Sequence, residues 1–217
     1  MCKRLLTAFR AYDLRGRIGH DMDDDVAYRL GRAAAEQQNA KSVVMGWDAR
    51  ATSVGLANAA ERGAMDAGAD VWRIGLAGTE EMYCATAELG ACLGIEITAS
   101  HNPINYNGMK LVKSGARPYN PELDFKSLRR RAESAKWQKT NSTGVVHDKS
   151  SEARLIYVEK VLSFVNISIL KPLKILINSG NGAAGPTFDA IANQLEKRGS
   201  PLTFIRHHHE PDPSFPN

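Results

Sequence analysis

The sequence predicts an α/β protein: a three-layer αβα first domain built on a mixed sheet, followed by an incomplete second αβα domain. Three observations carry that prediction. Runs with apolar residues at helical spacing alternate with short apolar runs of strand length, the pattern of helices packed on both faces of a sheet. Asn107-Gly108 follows one such strand and precedes another, and this dipeptide is the favoured two-residue hairpin turn, so one local pair is antiparallel and the sheet mixed. After a polar stretch the chain supplies only one more β-α-β unit before Asn217, fewer strands than such a domain needs to close a core.

The elements follow in order. Val26, Leu30 and Ala33 recur at helical spacing in DDVAYRLGRAAAEQ behind an Asp-rich start, and SVVMGWD follows as a short buried strand. SVGLANAAERGAMDAGA is a helix with Ser53 as its N-cap, and DVWRIGLA is a strand. Thr79 caps EEMYCATAEL, whose two glutamates suit the positive end of the helix dipole, and Gly90 ends that helix. CLGIEIT alternates Leu93, Ile95 and Ile97 on one face, MKLVKSGARPY returns as a strand, and a helix occupies Pro121 to Ala135. WQKTNSTGVVHDKSS is polar and without periodicity, which assigns 137–150 to a linker between a domain over 1–136 and a second over 151–217. That second part reads as helix, the strand LKILINS, the glycine-rich GNGAAG, a helix and the strand PLTFIRHH.

Composition narrows the function classes. At 43% hydrophobic and 24% charged residues this is ordinary globular sequence, not a disordered chain. The net charge of +4 is mild, and Arg129-Arg130-Arg131 lies among acidic residues as on a solvated helix face, so no nucleic-acid partner is expected. Cys2, Cys84 and Cys92 are odd in number and lack C-x-x-C spacing, which argues against a disulfide framework or a zinc site and for a cytoplasmic location. No apolar run reaches signal-peptide or membrane-span length, so no membrane is expected either, and the sequons at Asn141 and Asn166 are chance matches.

Chemistry concentrates in GIEITASHNPINYNGMKLV, Gly94 to Val112. Ser100 falls past the carboxyl end of a strand, where open α/β sheets bind ligands. On extended backbone Ser100 and His101 would point to opposite faces, so the pair alone is not a Ser-His dyad. Pro103 pushes Asn102 toward extended geometry, and the turn at Asn107-Gly108 sends Lys110 back toward the serine. A serine with an amine nearby suits covalent phosphoryl or acyl transfer. The same spacing also fits a strand-end serine beside a snorkelling surface lysine.

TASHNPINYNGMKLV resembles the phosphoserine loop of the α-D-phosphohexomutases, and FRAYDLRGRIG, GWDARATS, GTEEMYCAT and INSGNGAAGP are similar to further segments of the phosphomannomutase and phosphoglucomutase group, from Phe9 to Asn217. The resemblance implies that Ser100 carries a phosphoryl group, gives it to a hexose phosphate to form a hexose 1,6-bisphosphate, and recovers the other phosphate. Mannose or glucose 6-phosphate and 1-phosphate would be the substrates, with phosphomannomutase as the leading activity. His101 resembles the family's active-site histidine, Lys110 the residue proposed for proton transfer, and Tyr12 and Arg15 the tyrosine and arginine of an N-terminal loop. A guanidinium fork suits phosphoryl oxygens, while Arg15 could equally pair with Asp13. Magnesium is implied as cofactor, with Ser100 contributing through its phosphate and the other metal ligands, the sugar-selecting loop and the phosphate clamp expected beyond Asn217.

Three further patterns have bland readings. Gly180 to Gly185 satisfies G-x-G-x-x-G between strand and helix, but the next strand ends in Arg206, His207 and His208 where an acid should meet a ribose, which favours a tight structural turn over a nucleotide-dependent oxidoreductase. Asp21, Asp23 and Asp25 introduce a helix and read as capping rather than magnesium binding. His207, His208 and His209 read as a polar strand end rather than a zinc site. A truncated, noncatalytic fragment of a mutase is the alternative to an active enzyme. On either reading these residues alone are expected to fold the first domain and to lack significant mutase activity.

Overall fold

The computed structural model describes residues 3–217. Strand β1 (Leu14–Arg17) leads to α1 (Asp24–Gln37), β2 (Ser42–Trp47), α2 (Ser53–Asp66), β3 (Asp70–Leu76), α3 (Thr79–Glu88), β4 (Leu93–Ile97) and β5 (Tyr106–Lys113). A short β6 (Arg117–Pro118), α4 (Lys126–Ser134) and β7 (Val146–Asp148) complete this unit, and α5 (Ser150–Leu162), β8 (Lys174–Asn178), α6 (Ala184–Lys197) and β9 (Thr203–His207) follow. The first seven strands form one sheet in the order β1-β5-β4-β2-β3-β7, with β6 beside β5, while β8 and β9 form a separate parallel pair. β2 runs parallel to β3 and β4, and β5 runs antiparallel to β1 and β4, so the sheet is mixed as expected.

Alternation along the strands sorts the core into two layers. Val43, Met45, Leu93, Ile95 and Ile97 pack with α1, α2 and α4, and Val44, Ile74 and Val112 pack with α3 and α5 through Met82, Ala85 and Ala153. Asp23 caps α1 by accepting from the Val26 amide at 2.9 Å, as its place before the helix predicts.

Four local expectations are corrected. Asn107-Gly108 is not a hairpin turn: both residues lie inside β5, opposite Gly16 and Arg15 of β1, and the reversal occurs between Ser100 and Asn105. Asn107 is fully buried and donates to Thr52 Oγ1 and Ser53 Oγ, each at 2.9 Å, so tertiary hydrogen bonding overrides its turn preference. Gly108 is required because a Cβ there would strike the Leu14 carbonyl. Helix α2 is preceded by Thr52, not capped by Ser53, whose hydroxyl instead donates to Asp48 Oδ1 at 2.5 Å. Gly78 precedes α3, and Thr79 is its first helical residue. The stretch read as a linker contains β7, which pairs in parallel with β3 over Val71–Arg73.

The second unit is built differently. Ile175, Ile177 and Phe204 turn inward, but the cross-strand pair Leu176 and Ile205 is 62% and 43% exposed, leaving one face of the two-stranded sheet uncovered. It is tied to the first unit through buried Glu81 of α3, which accepts from Arg154 Nε of α5 at 2.6 Å and from the Thr187 hydroxyl of α6.

Candidate active site at a strand-end serine

β4 ends at Ile97, and the chain turns through Thr98 to Asn105 before β5. Within this turn Ser100 is exposed and adopts a left-handed backbone at φ 53°. A non-glycine residue there costs of order 1–3 kcal/mol and persists only where its surroundings enforce it. Those surroundings are visible. The Ser100 amide donates to Thr98 Oγ1 at 2.9 Å, and the Asn102 amide to the Ala99 carbonyl at 3.0 Å.

Arg50 does most of the holding. Its side chain is buried, and its guanidinium donates to four loop carbonyls: Ser100 at 2.9 Å, Asn102 at 2.6 Å, Pro103 at 2.9 Å and Tyr106 at 3.0 Å. Arg15 braces the other side, donating to the Ala99 carbonyl at 3.1 Å, to the Asn102 side chain, and through Nε to Asp13 at 2.8 Å. The pairing of Arg15 with Asp13 and its approach to the serine loop are thus both realised. Its Nη2 has no protein acceptor among the described residues and stays available to an anion.

Because the backbone has left the strand, Ser100 and His101 do not point to opposite faces. Ser100 Oγ lies 3.5 Å from His101 Nδ1, close, but at the outer edge of a hydrogen bond. Lys110 is placed less intimately. It lies opposite Glu96 on β5, on the sheet face it shares with Arg15, and forms no ion pair among the described residues. Tyr12 stands 81% exposed beside the Asp13–Arg15 pair. Ser100, His101 and Asn102 line a hollow of about 440 Å³ whose far wall is Ser214 and Phe215, and the Arg50 guanidinium lies 5.8 Å from the Phe215 ring centre.

Glu96 lies beneath this region with 0% exposure, and neither carboxylate oxygen has a hydrogen-bond partner among the described residues. Burial, reinforced by Asp48, Glu81 and Glu80, pushes its carboxyl well above the usual range. Alternation in CLGIEIT set Glu96 opposite Leu93, Ile95 and Ile97, but gave no sign that α3 would cover that face. Nothing in side-chain spacing marks Arg50, and only its place in Asp48-Ala49-Arg50, just past the end of β2, sets it apart in the sequence. Among the described residues no group of three or more His, Cys, Asp or Glu is arranged to hold a metal ion.

The features above define an α/β protein that presents an exposed, conformationally constrained serine beyond the carboxyl end of a sheet strand. The chain belongs to the phosphoglucomutase/phosphomannomutase family, whose alpha/beta/alpha domain I matches residues 6–139. It is 46% identical over 212 residues to a phosphomannomutase of Salmonella montevideo, covering 98% of this chain and 46% of that protein. It is 42% identical over 217 residues to a phosphomannomutase of Vibrio cholerae, with 98% and 46% covered. A phosphoglucomutase/phosphomannomutase family protein from Burkholderia thailandensis superposes with a TM-score of 0.81 at 29% identity, covering 97% of this chain and 45% of that one. The chain spans about half the length of the curated relatives it matches.

Proposed function

We propose that this chain supplies the phosphoryl-carrying part of a phosphohexomutase, with phosphomannomutase as the leading activity, and that Ser100 is the carrier. The carrying observation is the Ser100 turn itself: an exposed hydroxyl in a left-handed conformation, its backbone tied down by Arg50 and Arg15. Phosphoryl transfer asks a protein mainly for positioning and charge stabilisation, and a fixed loop with a free hydroxyl meets the first demand. Ser100 Oγ would pass its phosphoryl group to a hydroxyl of mannose or glucose phosphate, giving a hexose 1,6-bisphosphate, and regain the other phosphate. Lys110 would move the proton, His101 would adjoin the phosphoryl group, and Tyr12 with the free Arg15 nitrogen would meet substrate or phosphate oxygens.

Magnesium fits only through the phosphorylated serine, since the described carboxylates form no cluster around it. When bound, a divalent ion supplies charge neutralisation at the phosphoryl oxygens. In this reading the first unit, through β7 at Val146–Asp148, forms the phosphoserine domain, and 151–217 begin a second. Cys84 and Cys92 are free thiols, which suits a cytosolic enzyme, and no described helix is long and apolar enough to cross a membrane.

Mass analysis of protein isolated from its native host tests the proposal. One phosphate is expected on Ser100, lost on phosphatase treatment and restored by hexose 1,6-bisphosphate. Phosphate on Ser114 or Ser179 instead would overturn the assignment.

A further inference from the structure

A second strand-end serine carries a base of its own. Ser179 follows β8 on the turn into α6, and its hydroxyl lies 3.2 Å from His209 Nδ1. His209 Nε2 lies 2.9 Å from Asp189 Oδ2, while Asp189 Oδ1 accepts from Arg206 Nε at 2.7 Å. The two ring nitrogens are therefore committed to different tasks. Nε2–H donates to the carboxylate, which leaves Nδ1 as the acceptor of the Ser179 proton. Partial burial works against the charge on Asp189, but hydrogen bonds from His209 and Arg206 outweigh it and hold the carboxyl below its usual range. The carboxylate is thus ionised at neutral pH and fixes the orientation of the ring.

The glycine-rich turn serves this arrangement. Gly180 takes a left-handed backbone directly after the serine, and a Cβ on Gly185 would strike the His209 carbonyl, so only glycine lets the histidine segment close on the start of α6. Ser179 opens onto a largely apolar cavity of about 300 Å³ between the two units, walled by Tyr157, Ile177, Phe188 and Ile191 and, from α3, by Glu80 and Glu81. Ala184, the first residue of α6, lines the same cavity, and of the first-turn amides those of Ala184 and Gly185 precede the first intrahelical bond, while Pro186 has none to give.

We propose that Ser179, His209 and Asp189 form a nucleophilic triad for acyl transfer, accepting small esters with an apolar acyl group that fills the cavity. Ser179 Oγ attacks the acyl carbon as its proton passes to His209 Nδ1, and the carbonyl electron pair moves onto oxygen toward the α6 amides. Collapse of this adduct expels the alcohol, which takes the proton from His209. Water then repeats the sequence, releasing the acid and restoring the serine. A hydrogen bond serving only to pin the C-terminal segment would need neither a carboxylate on the far ring nitrogen nor an apolar cavity before the hydroxyl. The site shares no residue with the Ser100 turn, and the proposal stands independently of the mutase reading.

The test treats the folded chain with an alkyl fluorophosphonate, maps the labelled peptide by mass, and follows hydrolysis of p-nitrophenyl butyrate. Label on Ser179 of folded but not heat-unfolded protein is expected, and Ser179→Ala should abolish both signals. Asp189→Asn should keep the fold by circular dichroism and slow labelling by about 10²–10⁴-fold, the effect of losing the orienting carboxylate. Absence of label on the folded wild type would overturn the proposal, a result that needs no variant to fold. Label on Ser100 or another serine, equal labelling of unfolded protein, or a rate unmoved by Asp189→Asn would overturn it equally.

Discussion

Ser100 and Ser179 occupy the same kind of position, just past the carboxyl end of a strand, and each has a histidine Nδ1 near its hydroxyl, at 3.5 Å and 3.2 Å. Their support differs. Around Ser100 the protein spends its cations on the backbone: Arg50 and Arg15 hold loop carbonyls, His101 is the exposed next residue, and no carboxylate among the described residues hydrogen-bonds to its ring. Around Ser179 the left-handed positions fall on its neighbours Gly180, Asn181 and His208 and not on the serine itself, and the polar groups line up behind the hydroxyl as Ser179, His209 and Asp189. A serine that carries a phosphoryl group has to be held still and left open. One that attacks an acyl carbon has to be deprotonated.

The sharpest way to break this contrast is Lys110→Met. If Lys110 moves the proton for Ser100, refilling of the Ser100 phosphate from hexose 1,6-bisphosphate should slow by about two to four powers of ten, the usual span for a general acid or base. The melting temperature should hold, because the Lys110 ammonium forms no ion pair among the described residues. A loss of stability in step with the rate would make Lys110 structural.

Arg50→Ala comes next. Withdrawing a buried cation from four carbonyls should cost about 2–4 kcal/mol in denaturant titration. It should also mobilise the 99–105 turn in hydrogen exchange, with Ser179 labelling unchanged. Arg50→Lys should recover little, since an ammonium cannot reproduce the planar fork. Equal stability of Arg50→Ala and wild type would show that the turn holds itself.

Glu96 gives a pH signature to the first unit alone. Its folded-state pKa is raised, so the folded protein binds the proton more tightly than the unfolded chain. The stabilising contribution is complete below the unfolded value of about 4.3 and is lost as the pH rises toward the folded-state pKa. Glu96→Met should flatten that slope and stabilise by roughly 1–3 kcal/mol at pH 8, the cost of an unpaired buried polar group. Urea titrations of both proteins between pH 5 and 9 measure it, and parallel curves would count against a protonated Glu96.

The smallest effect is expected at the open face of the second unit. The exposed pair Leu176 and Ile205 is expected to make the chain self-associate, and Leu176→Lys should weaken that association about ten- to a hundredfold by sedimentation equilibrium, since one buried apolar side chain is worth roughly 1.5–3 kcal/mol. An unchanged association constant would move the contact elsewhere.

Most of the layer order was legible because alternation and helical spacing record burial directly: Leu93, Ile95 and Ile97 announced β4, and Asp23 announced the start of α1. The misreadings came where distant partners decide. Asn107-Gly108 carries a strong local turn preference, yet hydrogen bonds to Thr52 and Ser53 and the approach of β1 hold it inside a strand. Val146–Asp148 is too short and polar to signal a strand, and exists because β3 offers an unpaired edge. At the serine turn the sequence marked Ser100, His101 and Arg15, but Arg50 acts through backbone carbonyls, which leave no trace in side-chain spacing.

The pairing of β7 with β3 also decides how far the second unit can travel. A flexible tether the length of 137–150 would let its ends wander by about 20 Å. Here the last residues of that stretch are stitched to the sheet edge, and the Lys149 amide donates to the Arg73 carbonyl at 2.8 Å immediately before α5 begins. The pivot shrinks to about one peptide unit, and α5 swings, if at all, against the Glu81 anchor on α3. Any opening of the cleft between the units is then a small rotation about a fixed axle, not the roaming of a body on a string.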